Sequence, residues 1–383
     1  MKQLSFLILL LILTSCKNEK TVENVPPFEN ISEQSELKYA TGFSILDHGS
    51  HKELTISKPW PNAQKDLKYL LAPSQQLAKM TFPRDAYDVV LVTPLEKLVV
   101  TSTTHIPALE LLGLENKLVG FPETNYISSE KTRSLIEYGA IKDIGKNESI
   151  NTEILLSLQP DVVIGFGVEG INKTFETVKK AGIPVIYNGD WVESSPLAKA
   201  EWLKFFGVLF DKEKEADSIF NTIETNYNEA KTLASKVKTS PSVLSGAMHK
   251  DVWYLPNGTS PEGQLMADAN LNYLWKDSSG NGSLALSFES VLDKAKDADL
   301  WISPSYYSSY ERLESANALY SNFKAFKQKN IYTFSNQTGA TGGVLYYELG
   351  FARPDLVLKD LIKIGHPELL KDYETTFFKP LND

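Results

Sequence analysis

The sequence predicts an α/β protein with two lobes, a long helical segment between them, and an added β segment at the N-terminal end. Three observations lead to this fold class. Short apolar strands alternate with helices over residues 98–187 and again over residues 243–363, a pattern typical of parallel sheets wrapped by helices. Residues 196–237 keep an almost unbroken helical periodicity. The length of 383 residues suffices for two domains of ~150 residues, each with its own core.

Composition and charge exclude several classes of protein. Apolar residues make up 42% of the chain and charged residues 23%, which is ordinary for a globular protein and unlike a disordered or polytopic membrane protein. The net charge of −9 disfavours nucleic acid as a partner, because phosphate binding needs a basic face. The single cysteine provides no disulfide framework and is a poor start for a zinc site.

The chain begins with the pattern of a secretory signal. Met1 and Lys2 precede an apolar run over residues 4–13, and small residues lead to Cys16. The run is too short to cross a hydrocarbon core of ~30 Å as a helix. Residues 13–16, Leu-Thr-Ser-Cys, resemble the lipobox of bacterial lipoproteins, which implies that Cys16 is acylated. An ordinary cleaved signal with a chance cysteine is the alternative.

A polar tether is expected after this signal. Residues 1–15 are predicted to be the signal peptide, and residues 16–36 are polar and charged, without apolar periodicity. Such a stretch behaves as a flexible linker. We therefore expect a protein of the cell envelope, anchored to a membrane by its lipid and facing the periplasm or the exterior. ATP and reduced nicotinamide are not at hand in that compartment.

The N-terminal lobe is predicted over residues 37–195. Its first part, residues 37–92, alternates apolar and polar residues as half-buried strands do, with a hairpin turn at residues 47–51. The sequence indicates no function for this added β segment. The remainder alternates strands and helices. We expect strands at 98–100, 118–119, 162–164 and 185–187, and helices at 107–112, 153–158 and 174–181.

An interlobe helix is predicted over residues 196–240, and the C-terminal lobe over residues 241–383. The apolar stripe of the helix includes Trp202 and Phe206, and a break is expected near Asp211. Strand–helix alternation then resumes. We expect strands at 243–244, 300–302 and 331–332, and helices at 262–271, 289–295 and 355–363.

The two lobes share a faint internal similarity. Residues 153–164 and 289–302 each open a helix with a carboxylate, Glu153 or Glu289. Each then places an aspartate, Asp161 or Asp299, directly before a buried strand. The pattern suggests that the lobes are related in construction.

Several segments together resemble a known family. They are residues 100–107 with 111–114, 151–164, 181–185, 286–292 with 299–301, and 353–356. In order and spacing they are similar to the periplasmic binding proteins for iron-siderophores, haem and vitamin B12 that feed ABC importers. The resemblance runs from about residue 97 to the end of the chain. It implies two Rossmann-like lobes bridged by a long α-helix, a ligand in the cleft between them, and no catalytic residues or cofactor.

The resemblance also implies the protein's partners. They are the permease and ATPase subunits of an ABC transporter, a metal chelate or corrinoid as ligand, and the membrane through the lipid anchor. In that family one glutamate on each lobe docks arginines of the permease, and the matching residues are Glu153 and Glu289. The alternative is that both carboxylates only stabilise the start of their helices.

A glycine motif supports a rival function. Residues 165–170, Gly-Phe-Gly-Val-Glu-Gly, fit the dinucleotide fingerprint, and Asp190 lies where the ribose-binding acid is expected. This favours a nicotinamide-dependent oxidoreductase. Against it stand the compartment, the charge of Glu169 beside a pyrophosphate, and the position of the strand in mid-domain. The alternative function of the motif is a loop, with Phe166 and Gly167, that contacts a ligand in the cleft.

A carrier of zinc or manganese ions is a second rival. The chain has five histidines, but the sequence provides no closed set of three or four ligands, so no metal site is predicted. His105 follows a strand at a strand-to-helix turn, where it is expected to contact a ligand or to pack or cap locally.

Aromatic side chains after the predicted strands are candidates for gripping a large ligand, because rings offer wide contact area with little rotamer entropy to lose. Arg353 is a candidate for an anionic group, or alternatively an ion-pair partner. Trp202 and Trp301 are assigned to packing. With His105, Gly167 and Arg353, the predicted ligand-binding residues are Phe166, Trp191, Trp253, Tyr254, Tyr306 and Tyr307.

Overall fold

The computed structural model describes residues 33–170, 172–280 and 282–383. The predicted signal peptide, Cys16 and most of the predicted tether lie outside these residues. Within them, no helix is both long and apolar enough to cross a membrane.

The added β segment, predicted over residues 37–92, is a five-stranded sheet in chain order whose first strand begins at residue 33. Successive strands pair antiparallel except the last pair, which is parallel. The predicted hairpin at residues 47–51 is confirmed, and Gly49 takes a positive φ of 75° in its turn. The strands are β1 (Glu33–Gln34), β2 (Phe43–Asp47), β3 (Lys52–Ile56), β4 (Leu67–Ala72) and β5 (Val89–Val92), and a short helix, α1 (Ser74–Leu77), precedes β5.

The first α/β half contains a five-stranded, all-parallel sheet. Its strands are β6 (Leu98–Val100), β7 (Leu118–Phe121), β8 (Lys142–Asp143), β11 (Val162–Gly165) and β12 (Val185–Tyr187), in the order β12-β11-β6-β7-β8. A small hairpin comprises β9 (Gly145–Lys146) and β10 (Ser149–Ile150). The helices are α2 (Ile106–Leu111), α3 (Glu130–Glu137), α4 (Thr152–Leu158) and α5 (Lys173–Lys180). This is the doubly wound order, so the Rossmann-like fold of this half is confirmed.

Helices cover both faces of this sheet, which explains why its central strands are apolar throughout. Every residue of β6, β11 and β12 is buried. Along β11, Val163 faces a core shared with α4 and α5, whereas Ile164 faces a core shared with α2 and the following helices. The strand order reverses between β6 and β11, and ligands of such sheets bind beyond the strand ends at that point.

Three helices, rather than one, occupy the segment predicted as the interlobe helix. They are α6 (Pro196–Glu201), α7 (Leu203–Leu209) and α8 (Glu213–Ala234). The chain breaks between α7 and α8, where Asp211 has a positive φ of 53°. The stripe on α7 packs into the core of the first half, whereas Tyr227 and Ala230 on α8 pack into the core of the second. The segment therefore bridges the two halves.

Two buried carboxylates fasten the start of the added β segment to this bridge. Glu201 on α6 accepts hydrogen bonds of 2.8–2.9 Å from the backbone N–H groups of residues 38–40. Glu193, just before α6, accepts bonds of 2.9 and 2.7 Å from those of Thr41 and Gly42. Glu201 is completely buried and forms an ion pair with Lys204 at 3.1 Å. Five backbone donors of residues 38–42 thus end on the two side chains.

The second α/β half has a sheet of the order β16-β13-β18-β19-β20. Its strands are β13 (Ser242–Ser245), β16 (Asn272–Tyr273), β18 (Leu300–Ile302), β19 (Ile331–Thr333) and β20 (Lys379–Pro380), and only β20 is antiparallel to its neighbour. A separate antiparallel sheet comprises β14 (Ala247–His249), β15 (Val252–Pro256) and β17 (Ser283–Leu286). The helices are α9 (Pro261–Asp268), α10 (Phe288–Ala295), α11 (Tyr310–Ala316), α12 (Lys324–Lys327), α13 (Leu345–Leu349) and α14 (Pro354–Gly365).

The internal similarity between the lobes has a structural basis. Asp161, before β11, accepts hydrogen bonds of 2.7 and 2.9 Å from the N–H groups of Glu96 and Lys97 at the entry to β6. Asp299, before β18, accepts one of 2.9 Å from the N–H of Ser242 at the entry to β13. In each half the aspartate fixes the start of the neighbouring parallel strand.

Candidate ligand-binding cleft

The two halves meet where the carboxyl ends of their parallel strands converge. From the first half come the turn that follows β6 and residues 124–129. From the second comes a hairpin, residues 337–348, which begins after β19 and runs into α13. A bridge between Thr338 and Val344 closes this hairpin.

Backbone packing between this hairpin and the first half is very close. A Cβ atom on Gly343 would lie 2.2 Å from the carbonyl oxygen of Tyr126, and one on Gly339 would lie 2.5 Å from the Cα of Ser128. The hydroxyl of Thr341 donates a hydrogen bond of 2.7 Å to the carbonyl of Asn125. Only glycine fits at the two contact points, so the hairpin requires glycine at these positions to pack against residues 125–128 of the first half.

A small cavity remains between the halves. It has a volume of about 20 Å³ and is lined by Asn188, Asp190, Lys199, Phe206 and Phe351 among others. This is room for about one water molecule, whereas pockets for small-molecule ligands measure roughly 300–1,000 Å³. This cavity is therefore too small to hold such a ligand.

The loop after β11 holds the predicted Phe166 and Gly167. Phe166 is half-buried and Gly167 is buried. A Cβ on Gly165 would lie 2.2 Å from the ring of Phe175 on α5, and one on Gly167 would lie 2.6 Å from the ring of Trp60. Two glycines of the fingerprint are thus explained by aromatic neighbours and need no phosphate.

The turn after β12 holds two buried donors that lack hydrogen-bond partners among the described residues, and Asn188, which carries one of them, lines the cavity between the halves. Trp191 is half-buried, and its indole N–H has no hydrogen-bond partner among the described residues. The side-chain NH₂ of Asn188, which is completely buried, also lacks one within that part of the chain. The Asn188 oxygen accepts a bond of 2.8 Å from the N–H of Asp190, which fixes the orientation of the amide. Such groups favour a ligand that carries acceptor oxygens.

His105 lies at the turn after β6, as predicted, but its ring is completely buried. It packs against Phe206 of α7, with ring centroids 5.6 Å apart. Neither ring nitrogen has a partner among the residues that the structure describes. Burial lowers the pKa of His105 to about 4, against an opposing effect of Asp190. The structure thus shows the local packing that was the alternative for His105, and a ligand contact of this residue stays a prediction.

Predicted residues of the second half divide into core and surface. Trp253, expected on a loop, lies in β15, is completely buried, and stacks on Trp301 at 5.5 Å, so its prediction as a ligand contact is wrong. Its neighbour Tyr254 is also on β15 and points outward, 44% exposed. Tyr307 is half-buried and packs on Tyr320 at 6.4 Å.

Tyr306 remains the best-placed aromatic residue of the second half. It follows β18, is 68% exposed, and lies 6.2 Å from the ring of Tyr347 on α13. Tyr347 is itself 40% exposed, and α13 packs against α2 and the turn that holds His105. The pair therefore borders the contact between the halves.

Arg353 forms a bidentate ion pair within its own segment. Its Nε and Nη2 atoms each donate a hydrogen bond of 2.8 Å to the carboxylate of Asp355. Asp355 is completely buried, and the bonds to it raise the pKa of the guanidinium. The ion-pair alternative for Arg353 is thus the arrangement in the structure, and two of the five N–H donors of the guanidinium are used in it.

The family profile described as periplasmic binding protein matches residues 98–338. This chain belongs to the periplasmic binding protein family. Its binding proteins capture solutes for ABC transporters and are not enzymes, so the oxidoreductase alternative is excluded. Within the described residues no group of three or more His, Cys, Asp or Glu side chains is placed to hold a metal ion.

Relatives of this periplasmic binding protein include lipoproteins. It is 29% identical over 304 residues to an uncharacterised lipoprotein of Methanocaldococcus jannaschii, a match that covers 76% of this chain and 70% of the relative. The fold is similar to that of a periplasmic haem-binding protein from Pseudomonas aeruginosa, with a TM-score of 0.56 at 17% identity over 76% of this chain and 99% of that one. The Ni(II)-bound CeuE protein of Helicobacter pylori gives a TM-score of 0.54 at 17% identity over 74% and 88%.

The two glutamates that the resemblance singled out are both exposed on this binding protein. Glu153 is in the first turn of α4, whose N-cap Asn151 accepts hydrogen bonds from the N–H groups of Glu153 and Ile154 at 3.1 Å. Glu289 is in the first turn of α10, whose N-cap is Ser287. Neither carboxylate forms an ion pair among the described residues. Their helix starts already have caps, so stabilising the helices does not require these carboxylates.

Two residues of the cleft had no sequence signal. Lys199 on α6 places its ammonium 3.8 Å from the ring centroid of Phe351, across the contact between the halves, and burial lowers its pKa. Glu348 on α13 is 2% exposed and binds backbone of the first half. A lysine in a helical stripe and a glutamate among tyrosines predict nothing by themselves. Their partners are distant in sequence and only the fold brings them together.

Proposed function

We propose that this periplasmic binding protein is a lipid-anchored carrier that captures a large metal chelate and delivers it to an ABC permease. The candidates for the chelate are a ferric siderophore, haem and a corrinoid. Membership of the family supports the carrier function, and the aromatic rim of the cleft supports the class of ligand.

The exposed pair of Tyr306 and Tyr347 is the observation that carries the ligand class. Two adjacent, partly exposed rings at the edge of a cleft offer a wide apolar surface with polar tips. From the first half, Trp191 and Phe166 contribute half-buried rings, and the buried indole N–H of Trp191 has no hydrogen-bond partner among the described residues. A bulky ligand with flat apolar faces and peripheral acceptor oxygens satisfies both sides, as a metal chelate or a haem does.

The solved relatives are consistent with this class. The Pseudomonas aeruginosa protein is a haem-binding protein, and the Helicobacter pylori protein was solved with Ni(II) bound. At 17% identity they share the fold with this chain, so the choice among siderophore, haem and corrinoid rests on experiment.

The site of membrane attachment belongs to the same proposal. Cys16 is the only cysteine and stands at the end of a lipobox-like quartet. Two relatives from Methanocaldococcus jannaschii are named lipoproteins. We infer that the mature protein is acylated at Cys16 and held in the envelope beside its permease.

Docking to the permease is proposed for Glu153 and Glu289. Each is an exposed carboxylate on a capped helix of a different half. Arginines at matching positions of a permease would pair with both, and the bridge of α6 to α8 holds them on one body.

A thermal-shift panel tests the ligand class. The full mature chain is heated with haemin, a ferric tris-catecholate, a ferric hydroxamate or cyanocobalamin, and binding at a hundred times the dissociation constant adds about 2.7 kcal/mol of stability. We expect one of these chelates to raise the melting temperature, and Tyr306→Ala or Tyr347→Ala to weaken its binding.

Tyr138→Ala is the matched control, because Tyr138 is 88% exposed at the opposite end of α3 from the contact between the halves. A panel without any shift contradicts the ligand class. Equal effects of all three substitutions contradict the rim as its site.

A further inference from the structure

The added β segment lies directly against the two loops that carry Phe166 and Trp191. It precedes residues 98–338, which match the family, and the sequence indicated no function for it. Three contacts join it to the ends of β11 and β12. Each is a close contact that involves a backbone atom or an aromatic ring.

The first contact is between Trp60 and the glycine loop. Trp60 lies between β3 and β4 and is half-buried against the core that α4 and α5 share with the sheet. Its ring covers Gly167 so closely that a Cβ there would lie 2.6 Å from the Cε3 atom. The second glycine of the fingerprint is therefore matched to this indole.

The second contact is along the edge strand β12. Tyr69 on β4 is 1% exposed, and its hydroxyl accepts a hydrogen bond of 3.1 Å from the backbone N–H of Tyr187. The ring of Tyr187 in turn meets that of Trp60 edge-on, with centroids 5.3 Å apart. An edge-strand donor that would otherwise face solvent is satisfied by the added β segment.

The third contact is at the turn that leads to Trp191. A Cβ on Gly189 would lie 2.3 Å from the carbonyl oxygen of Lys58, so this turn and the loop of residues 57–61 touch backbone to backbone. Gly189 sits between Asn188 and Asp190, which line the cavity between the halves.

We propose that residues 57–61 are a structural part of the ligand-binding site, and that Trp60 is a positioning residue for the loop of residues 166–170. The first α/β half alone leaves this loop and the turn after β12 free on one side. The added β segment supplies the missing wall and preorganises both, which lowers the entropy lost when a ligand binds. The positioning of the loop rests on the three contacts, whereas its effect on ligand binding rests on the proposed carrier function.

Amide hydrogen exchange tests the positioning without any ligand. In Trp60→Ala we expect the amides of residues 166–170 to exchange about tenfold faster than in the wild type, because local opening becomes easier. Trp60→Phe should recover most of the protection. Phe82→Ala is the control, since Phe82 packs on Tyr87 within the same segment, with ring centroids 6.0 Å apart. Its exchange in residues 166–170 should equal that of the wild type.

A double-mutant cycle makes the assignment specific to the pair. Gly167→Ala should accelerate exchange in the wild-type background, because its methyl group has no space beside Trp60. The same substitution should add little in the Trp60→Ala background, where the space is vacant. Additive effects of the two substitutions, or unchanged exchange in Trp60→Ala, would overturn the positioning.

The binding arm uses haemin, the ferric tris-catecholate, the ferric hydroxamate and cyanocobalamin. For any of these that the wild type binds, Trp60→Ala should raise the dissociation constant about tenfold or more while Phe82→Ala leaves it unchanged. An unchanged dissociation constant in Trp60→Ala would overturn the proposal that residues 57–61 are a structural part of the ligand-binding site. If the wild type binds none of the four, the proposed ligand class fails, and the exchange experiment still decides the positioning.

Discussion

The carboxylate of Glu348 accepts a hydrogen bond of 2.6 Å from the backbone N–H of Ser128, which joins the second α/β half to the first. Its other oxygen accepts one of 2.9 Å from the N–H of Ser129, the N-cap of α3. The side chain is buried, and burial raises the pKa of Glu348 to about 7, helped by the nearby carboxylate of Glu110. The contact between the halves thus includes a buried acid whose pKa lies above its ordinary value.

The stability of the protein should depend on pH through Glu348. The folded pKa lies above the unfolded value of 4.5, so the folded state binds more protons between the two values. The unfolding free energy therefore falls as the pH rises from about 4.5 through 7, by roughly 3–4 kcal/mol in total once the pH lies above both pKa values. Urea unfolding of the wild type and Glu348→Gln from pH 4.5 to 8 measures this as a difference between the two curves.

Glu368→Gln is the control for this series, because Glu368 is exposed. Its curve should run parallel to that of the wild type. If the curve of Glu348→Gln does so as well, Glu348 has an ordinary pKa and does not control the contact.

Replacing His105 by phenylalanine should cost little stability at pH 7. The wild-type ring buries two polar atoms without partners in the described chain, a situation that costs about 1–3 kcal/mol in general, and an apolar ring removes it. We expect an unfolding free energy within about 1 kcal/mol of the wild type. A loss well above that would show that a ring nitrogen makes an essential hydrogen bond.

The same variant should reveal the titration of His105. Its folded pKa of about 4 lies below the unfolded 6.5, so the wild type loses stability as pH falls through this window. His105→Phe lacks that loss and should gain on the wild type between pH 7 and pH 5. Urea unfolding at both values tests it, with the exposed His249→Phe as control. The effect opposes that of Glu348, so single variants are needed to separate them.

Charge reversal at both proposed docking sites should abolish uptake and leave ligand binding intact. Glu153→Arg with Glu289→Arg replaces attraction by repulsion at two points of one interface, which can cost several kcal/mol. Both residues are exposed and on capped helices, so folding should be nearly unchanged. Calorimetry and uptake in cells on the same variant measure the two effects. Glu137→Arg with Glu314→Arg, also exposed, is the control pair, and normal uptake by the docking variant would end the docking proposal.

Cys16→Ser should release the protein from the membrane or block its processing. No helix in the described part of the chain can cross a bilayer, and a lipid on Cys16 is the proposed anchor. Membrane fractionation followed by a salt wash, with labelled fatty acid in the medium, measures attachment and acylation together. A variant that stays with the washed membranes would contradict the lipobox interpretation.

The architecture was largely predictable because its signals are local. Strands such as β11 are continuous apolar runs, and helices such as α4 follow a cap residue, so both were found from short windows of sequence. Asp161 and Asp299 are recognisable as a repeat, because each comes directly before a short apolar run in the sequence. These runs are the strands β11 and β18. The break at Asp211 was also expected, although not that the segment divides into three helices.

The cleft was less predictable, because its contacts join residues far apart in the chain. In the sequence, Pro256 and the residues Asn257-Gly258 after it are a turn signal that favours a loop around Trp253. In the structure these residues form β15, in which Trp253 is buried, Tyr254 is exposed and Leu255 is buried. This alternation is a strand signal in the sequence, and it is stronger than the turn signal that follows it. Glu348 and Ser128 are separated by 220 residues, and no local pattern marks either of them.

The fastening of residues 38–42 by Glu193 and Glu201 has a mechanical consequence. A force applied through the chain before residue 38 can peel β1 from β2, but it then meets five backbone hydrogen bonds that end on two buried carboxylates. Tension from the proposed membrane anchor would therefore reach the helices that join the two halves before it passed along the chain to β2.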